Sequence, residues 1–173
     1  KSLFLDKLDE LIDKVKIFGY HFATLDIRQD SRIHSKVFEE IFKKAFSKEF
    51  PDNYSILSEV KKIKILSKLK GKKINKIKFD DALVNSTIES IGAMKTIQKS
   101  NGEKGCHRYI ISNNQTAVNI LEVFTMFKLC EWENPTVDIV PLFETINDLD
   151  VCSDVMEVVY NNKDYRSHLK LRN

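Results

Sequence analysis

Three short apolar runs of the 173-residue chain end in polar residues able to do chemistry. Asp26, Arg28 and Gln29 close the first run, Ser112, Asn113 and Asn114 the second, and Glu144 and Thr145 the third. An arginine can grip a phosphate or carboxylate through two parallel hydrogen bonds. A glutamate can hold a hard divalent cation through oxygen. Amides and a hydroxyl can orient either ligand. Arg28 and Glu144 can equally form a structural ion pair, and residue type and spacing leave both options open. Other chemistries lose support, because the sequence has no Gly-rich phosphate loop, no G-x-S-x-G elbow and no H-E-x-x-H pair.

For these residues to meet, the runs must be neighbouring strands. Apolar spacing predicts a helix over Leu3–Val15 and a strand over Phe18–Arg28. A helix capped by Ser31 follows, with Val37, Ile41, Phe42 and Ala45 as its stripe. Pro51-Asp52-Asn53 marks a break. A Lys-rich helix carries Ile56, Val60, Ile63, Leu66 and Leu69 on one face and stops at Gly71. A long helix runs from Asp80 to Ser100, capped by Asp80 or Asp81 and ended by Asn101-Gly102. Arg108–Ser112 reads as a buried strand, Gln115–Leu129 as an amphipathic helix and Val137–Phe143 as a third strand. Asn147 or Asp148 caps a helix through Tyr160, and Tyr165–Leu171 forms a short last one. Strands separated by helices run parallel, since each return needs a crossover. The fold class is therefore α/β, helix-rich, with a parallel sheet of about three strands. Ligands of such folds bind at the C-terminal strand ends, where the polar residues fall.

Charge is unevenly spread. The net charge is +3, yet nine lysines and no acid lie between Lys61 and Lys78, and without that segment the chain would be net acidic. The segment could bind nucleic acid or an anionic surface. Its apolar stripe and its lack of interleaved aromatics favour the solvated face of a helix and the loop after it. Cys106, Cys130 and Cys152 have no CxxC or metal-ligand spacing, so they read as small buried hydrophobes in a reducing cytoplasm. No apolar run reaches the roughly 20 residues of a membrane span. His34, six residues past Arg28, falls either at the rim or at a surface or capping position. His21, His107 and His168 read as structural or solvated.

Three blocks in order resemble phosphoenolpyruvate carboxylase. Leu25-Asp26-Ile27-Arg28-Gln29-Asp30-Ser31, with His34 after it, is similar to the family's Asp-Ile-Arg-Gln-x-Ser block. Tyr109-Ile110-Ile111-Ser112 resembles its Tyr-Ile/Val-Ile-Ser-Met-Ala block, with Asn113 and Asn114 in place of Met and Ala. Val140-Pro141-Leu142-Phe143-Glu144-Thr145, continuing to Leu149, resembles its Pro-Leu-Phe-Glu-Thr block. Leu121-Glu122-Val123, Val155-Met156 and Tyr165-Arg166 match in character. The resemblance covers nearly the whole chain and is weakest over residues 51–101, which read as a variable Lys-rich helical insertion.

The resemblance implies a slice, about three strands, of a (β/α)₈ barrel with added helices; a full barrel takes about 250 residues. It implies an enzyme that adds bicarbonate to phosphoenolpyruvate, giving oxaloacetate and phosphate with Mg²⁺ or Mn²⁺. In that chemistry bicarbonate attacks the phosphorus to give carboxyphosphate and an enolate, and the enolate captures the carbon dioxide released. Arg28 is then the active-site arginine at the phosphoenolpyruvate, Gln29 and Ser112 are supporting substrate-binding residues, and Glu144 is a metal ligand. A cytoplasmic homo-oligomer, commonly a tetramer, with no nucleic-acid or membrane partner is the implied setting. The family's second metal carboxylate, in a Gly-Tyr-Ser-Asp-Ser segment, is expected just beyond Asn173. The family's glycine-rich loops and upstream catalytic His are also absent, so the chain alone is expected to be inactive. Three strands cannot close a barrel. Bare sheet edges and an apolar inner face are therefore expected, covered by self-association or by helices folded over the opening.

Overall fold

A computed structural model of the chain describes residues 4–19, 21–50, 53–74 and 77–172. Three strands, β1 (Asp26–Asp30), β2 (Arg108–Ser112) and β3 (Asp138–Pro141), form one parallel sheet in the order β1-β2-β3. Arg28 pairs with Ile110, and Ile110 with Val140. Helix α1 (Leu5–Phe18) precedes β1. Helices α2 (Ser31–Ala45), α3 (Glu59–Lys68) and α4 (Ala82–Asn101) lie between β1 and β2, and α5 (Ala117–Leu129) links β2 to β3. Helices α6 (Ile146–Asn161) and α7 (Lys163–Arg172) follow. The open α/β arrangement is the one the sequence predicts.

Side chains alternate across a strand, so register decides which face each residue serves. Tyr109, Ile111 and Ile139 are buried on one face and join the core with Val37, Phe38, Ile41 and Phe42 of α2. Each large apolar side chain buried there contributes about 1.5–3 kcal/mol. Helix α5 was expected to be amphipathic, but it is buried on nearly all sides, from Ala117 through Leu129. It packs against α2, α3, α6 and β3 at once, so no solvated stripe is left.

The opposite face carries Asp26, Arg28, Asp30, Arg108, Ser112 and Asp138, with Ile110 and Val140 between them. This corrects the expectation of an apolar inner face: the strands place charges on it, and no residue of α1 is buried that could have covered it. The outer edges of β1 and β3 have no strand partner among the described residues.

Several local boundaries differ from the sequence prediction. Among the described residues, 18, 19 and 21–25 do not form strand. Phe18 ends α1, Phe22 takes φ +60 and stacks on Phe18 at 5.4 Å, and pairing begins only where Asp26 meets Arg108. Asp30, not Ser31, caps α2, accepting from Arg32 N at 2.8 Å. Thr145, not Asn147 or Asp148, caps α6: Thr145 Oγ1 accepts from Asp148 N, and Asp148 Oδ2 accepts from Thr145 N. Asp81 caps α4 through Leu83 N and Val84 N, as predicted, and Gly102 ends it with φ +86. Helix α3 is shorter than its apolar stripe. Leu66 and Leu69 are buried, whereas Ile56 faces solvent from a 3₁₀ turn at Tyr54–Ile56 ahead of the helix, and Val60, in the first turn of α3, is exposed as well. Leu3, Tyr20, Pro51, Asp52 and Lys76 lie outside the described residues.

Candidate active-site rim

The rim is built by strand register. Leu142 N donates to Ile111 O at 2.9 Å, carrying the β2–β3 pairing past the end of β3. The capping box of α6 begins one residue after Glu144, so that carboxylate is fixed between a strand end and a helix start. Arg28 projects from β1 on the same side. Its Nη2 donates to Glu144 Oε1 at 3.0 Å, although 116 residues separate the two. The pair is open to water, with side chains 58% and 41% exposed.

The second oxygen of Glu144 is also used. Oε2 accepts from the backbone N–H of Asn113 at 2.8 Å. Asn113 has φ +54, a left-handed conformation that Asn tolerates better than most residues. Its carbonyl accepts from Ser31 Oγ at 2.6 Å. The three strand ends are thus stitched to one another, β1 through Arg28 and Ser31, β2 through Asn113 and β3 through Glu144. The departure from the Met-Ala pair at 113 and 114 leaves this link intact, because the donor is backbone.

The other candidates divide. Ser112 lies on the rim face and donates to Gln29 O at 3.4 Å. Gln29 points to the helix side, where its Nε2 approaches Thr87 Oγ1 of α4 at 3.5 Å and its Oε1 accepts from Asp30 N. Arg28 and Glu144 are therefore brought together, Ser112 shares the sheet face of Arg28, and Gln29 fastens β1 from behind. Asp30 is held below the ordinary carboxylate range chiefly by the hydrogen-bonded Arg32 guanidinium, with burial opposing. Asp26 pairs with Arg108 at 3.7 Å.

His34 is neither at the rim nor on the surface. It is fully buried with Nε2 2.9 Å from the Tyr109 hydroxyl, and burial pushes its pKa down to about 4. The helix stripe carries it inward, since positions 34, 37, 38 and 41 share one face. The sequence did not single out Glu122. It is fully buried in α5, accepts from Ser35 Oγ at 3.1 Å, and burial raises its pKa to about 7. The Tyr54 hydroxyl lies beside the same carboxylate without a well-formed hydrogen bond. One acid inside the apolar run Ile120–Phe124 was the available signal.

Among the described residues, no three His, Cys, Asp or Glu side chains converge on a point. Glu144 is a single exposed oxygen donor. It fits a hard cation that keeps most of its waters and takes one or two protein carboxylates, as Mg²⁺ does. The Lys-rich segment is partly neutralised within the fold: Lys70 pairs with Asp164 at 2.8 Å, Lys72 with Glu49 at 2.5 Å and Lys73 with Glu131 at 3.0 Å. No helix among the described residues is long and apolar enough to cross a membrane.

Comparison with known proteins gives a consistent result. The family model described as phosphoenolpyruvate carboxylase matches residues 1–173. A phosphoenolpyruvate carboxylase of Gloeobacter violaceus is 33% identical over 94% of this chain, and one of Prochlorococcus marinus is 33% identical over 97%. One of Thermosynechococcus vestitus is 32% identical over 94%. The chain spans about 18% of the length of the first two relatives and 17% of the third.

Proposed function

The chain belongs to the phosphoenolpyruvate carboxylase family, and on that premise we propose that it is part of an enzyme that adds bicarbonate to phosphoenolpyruvate to give oxaloacetate and phosphate. The observation that carries the proposal is the Arg28–Glu144 contact at 3.0 Å across the strand ends. A guanidinium able to bind phosphate and a carboxylate able to bind a cation meet at one point on the rim that such folds use for ligands, which supports this reading.

Within this reading, Arg28 binds the phosphoryl group and offsets its charge as it transfers. Glu144 holds Mg²⁺ or Mn²⁺. When bound, the cation supplies positive charge against the oxygen of the substrate that becomes negative. Ser112 and Gln29 act as supporting substrate-side residues by fixing the ends of β2 and β1. The closed barrel, the remaining metal carboxylate and the other loops belong to the rest of the polypeptide. The parent enzyme is a cytoplasmic homo-oligomer, with phosphoenolpyruvate and bicarbonate as partners and neither nucleic acid nor membrane. The 173-residue chain alone is inactive.

The test is a coupled assay of oxaloacetate formation. Glu144→Gln and Arg28→Gln in the whole enzyme should each lower kcat/KM by about a hundredfold or more, the scale of losing an electrostatic stabiliser. Wild-type rates in either variant, or measurable turnover by the purified 173-residue chain, would refute the proposal.

A further inference from the structure

We propose that Arg28 is a placeholder for the cation at Glu144, and that cation binding releases Arg28 to take the substrate's phosphate. The inference rests on Glu144 being the cation's ligand, as argued above.

Both Glu144 oxygens are engaged, but by unlike partners. Oε2 is held by the backbone N–H of Asn113, whose position is set by strand pairing and by the Ser31 hydrogen bond to its carbonyl. Oε1 is held by Arg28, a long side chain 58% exposed, which can swing away without unpacking anything. Each oxygen keeps a second lone pair, but a divalent cation bound at this carboxylate would sit against the guanidinium and repel it, and of the two partners only Arg28 carries that like charge and is free to move. Cation and guanidinium therefore compete, through their like charges, for one carboxylate.

The destination of the released arginine follows from its neighbours. The flanking carboxylates on its own strand already have arginines: Asp26 pairs with Arg108, and Asp30 with Arg32. Arg28 then faces the open rim as a cation awaiting an anion, with the planar fork that suits a phosphate. Because equilibrium coupling is reciprocal, a phosphate that holds Arg28 away from Glu144 must also favour the cation. The rim would thus carry no unpaired charge before loading and would gain both binding groups in one event.

The test measures Mn²⁺ binding to the whole enzyme, from loss of the free-ion electron paramagnetic resonance signal, in wild type and three variants. Arg28→Gln should bind Mn²⁺ about two- to fivefold tighter, the range within which an exposed ion pair competes. Arg108→Gln, which removes the same charge from the same face but not from Glu144, should change it less. Glu144→Gln should weaken binding about tenfold or more. Crystals grown with Mn²⁺ should show Arg28 beyond ion-pair distance of Glu144. Unchanged or weaker binding in Arg28→Gln, a gain matched by Arg108→Gln, or an intact pair in the Mn²⁺ crystals would overturn the placeholder role and leave Glu144 as a ligand. Unchanged binding in Glu144→Gln would remove Glu144 as a ligand, and both proposals with it.

Discussion

His34 Nε2 lies 2.9 Å from the hydroxyl of Tyr109, and both side chains are fully buried between α2 and β2. His34 Nδ1 has no partner, so this bond is the ring's one hydrogen bond among the described residues. Tyr109→Phe should therefore cost about 1–3 kcal/mol, the scale of a buried polar group left unsatisfied. Burial puts the His34 pKa near 4 against an ordinary 6.5, so the unfolded chain binds the extra proton between those values. This group withdraws stability as pH falls through that window, by up to about 1.4 kcal/mol per pH unit. His34→Gln should cost progressively less relative to wild type as urea midpoints are taken from pH 7 down to pH 5. A cost that is constant with pH would contradict a neutral buried imidazole.

Glu122 has the opposite sign. Burial raises it to about 7 from an ordinary 4.5, so here the folded chain binds the extra proton. Its contribution is present at low pH and is lost as pH rises through 7. Lys62 acts against the raised value, and Glu39 with it. Glu122→Gln should gain stability relative to wild type as pH rises from 5 to 8, reaching on the order of 3 kcal/mol. Denaturant titrations of both proteins across that range would show the difference growing; a difference that shrinks would mean the acid is ionised when folded.

Asn114 is fully buried, and neither its amide nitrogen nor its amide oxygen has a partner among the described residues. Leaving both groups unpaired costs about 1–3 kcal/mol, more than the packing an Asn provides over an Ala. Asn114→Ala should raise the thermal midpoint in calorimetry. A fall of the midpoint would show that the amide is satisfied.

The Lys-rich segment should not bind nucleic acid at working affinity. At least three of its lysines are tied to acids of the same chain, and Lys62 sits 5.1 Å from the centre of the Tyr54 ring. Fluorescence anisotropy with a labelled duplex at 0.15 M salt should give no saturation below the roughly 10⁻⁶ M end of non-specific binding. A steeply salt-dependent Kd tighter than that would restore the basic segment as an interface.

Much of the fold was legible because local chemistry and tertiary context agree. The β-branched run Arg108–Ser112 forms a strand with the predicted bounds, and Asp81 and Gly102 bracket α4 as read. The meeting of Arg28 and Glu144 was legible through topology, since parallel strands bring their ends to one side. What stayed hidden depends on contacts that no periodicity encodes. Asn113 serves the rim through its backbone, so its side-chain type carried no signal. His34 and Glu122 are polar residues on buried helix positions, where pattern alone favours solvent. The full burial of α5 follows from how many neighbours it has, which a single stripe cannot report.

The helices cover one face of the sheet and leave the rim face to water. Coulomb attraction at a fixed separation scales inversely with the local dielectric, and it strengthens roughly fourfold between bulk water and the surroundings of a typical protein surface pair. Arg28, Asn113 and Glu144 can keep their distances and still behave as a different site once another part of the polypeptide excludes solvent above them. Affinity for a cation or a phosphate is then a property of whatever closes over the rim as much as of the residues that line it.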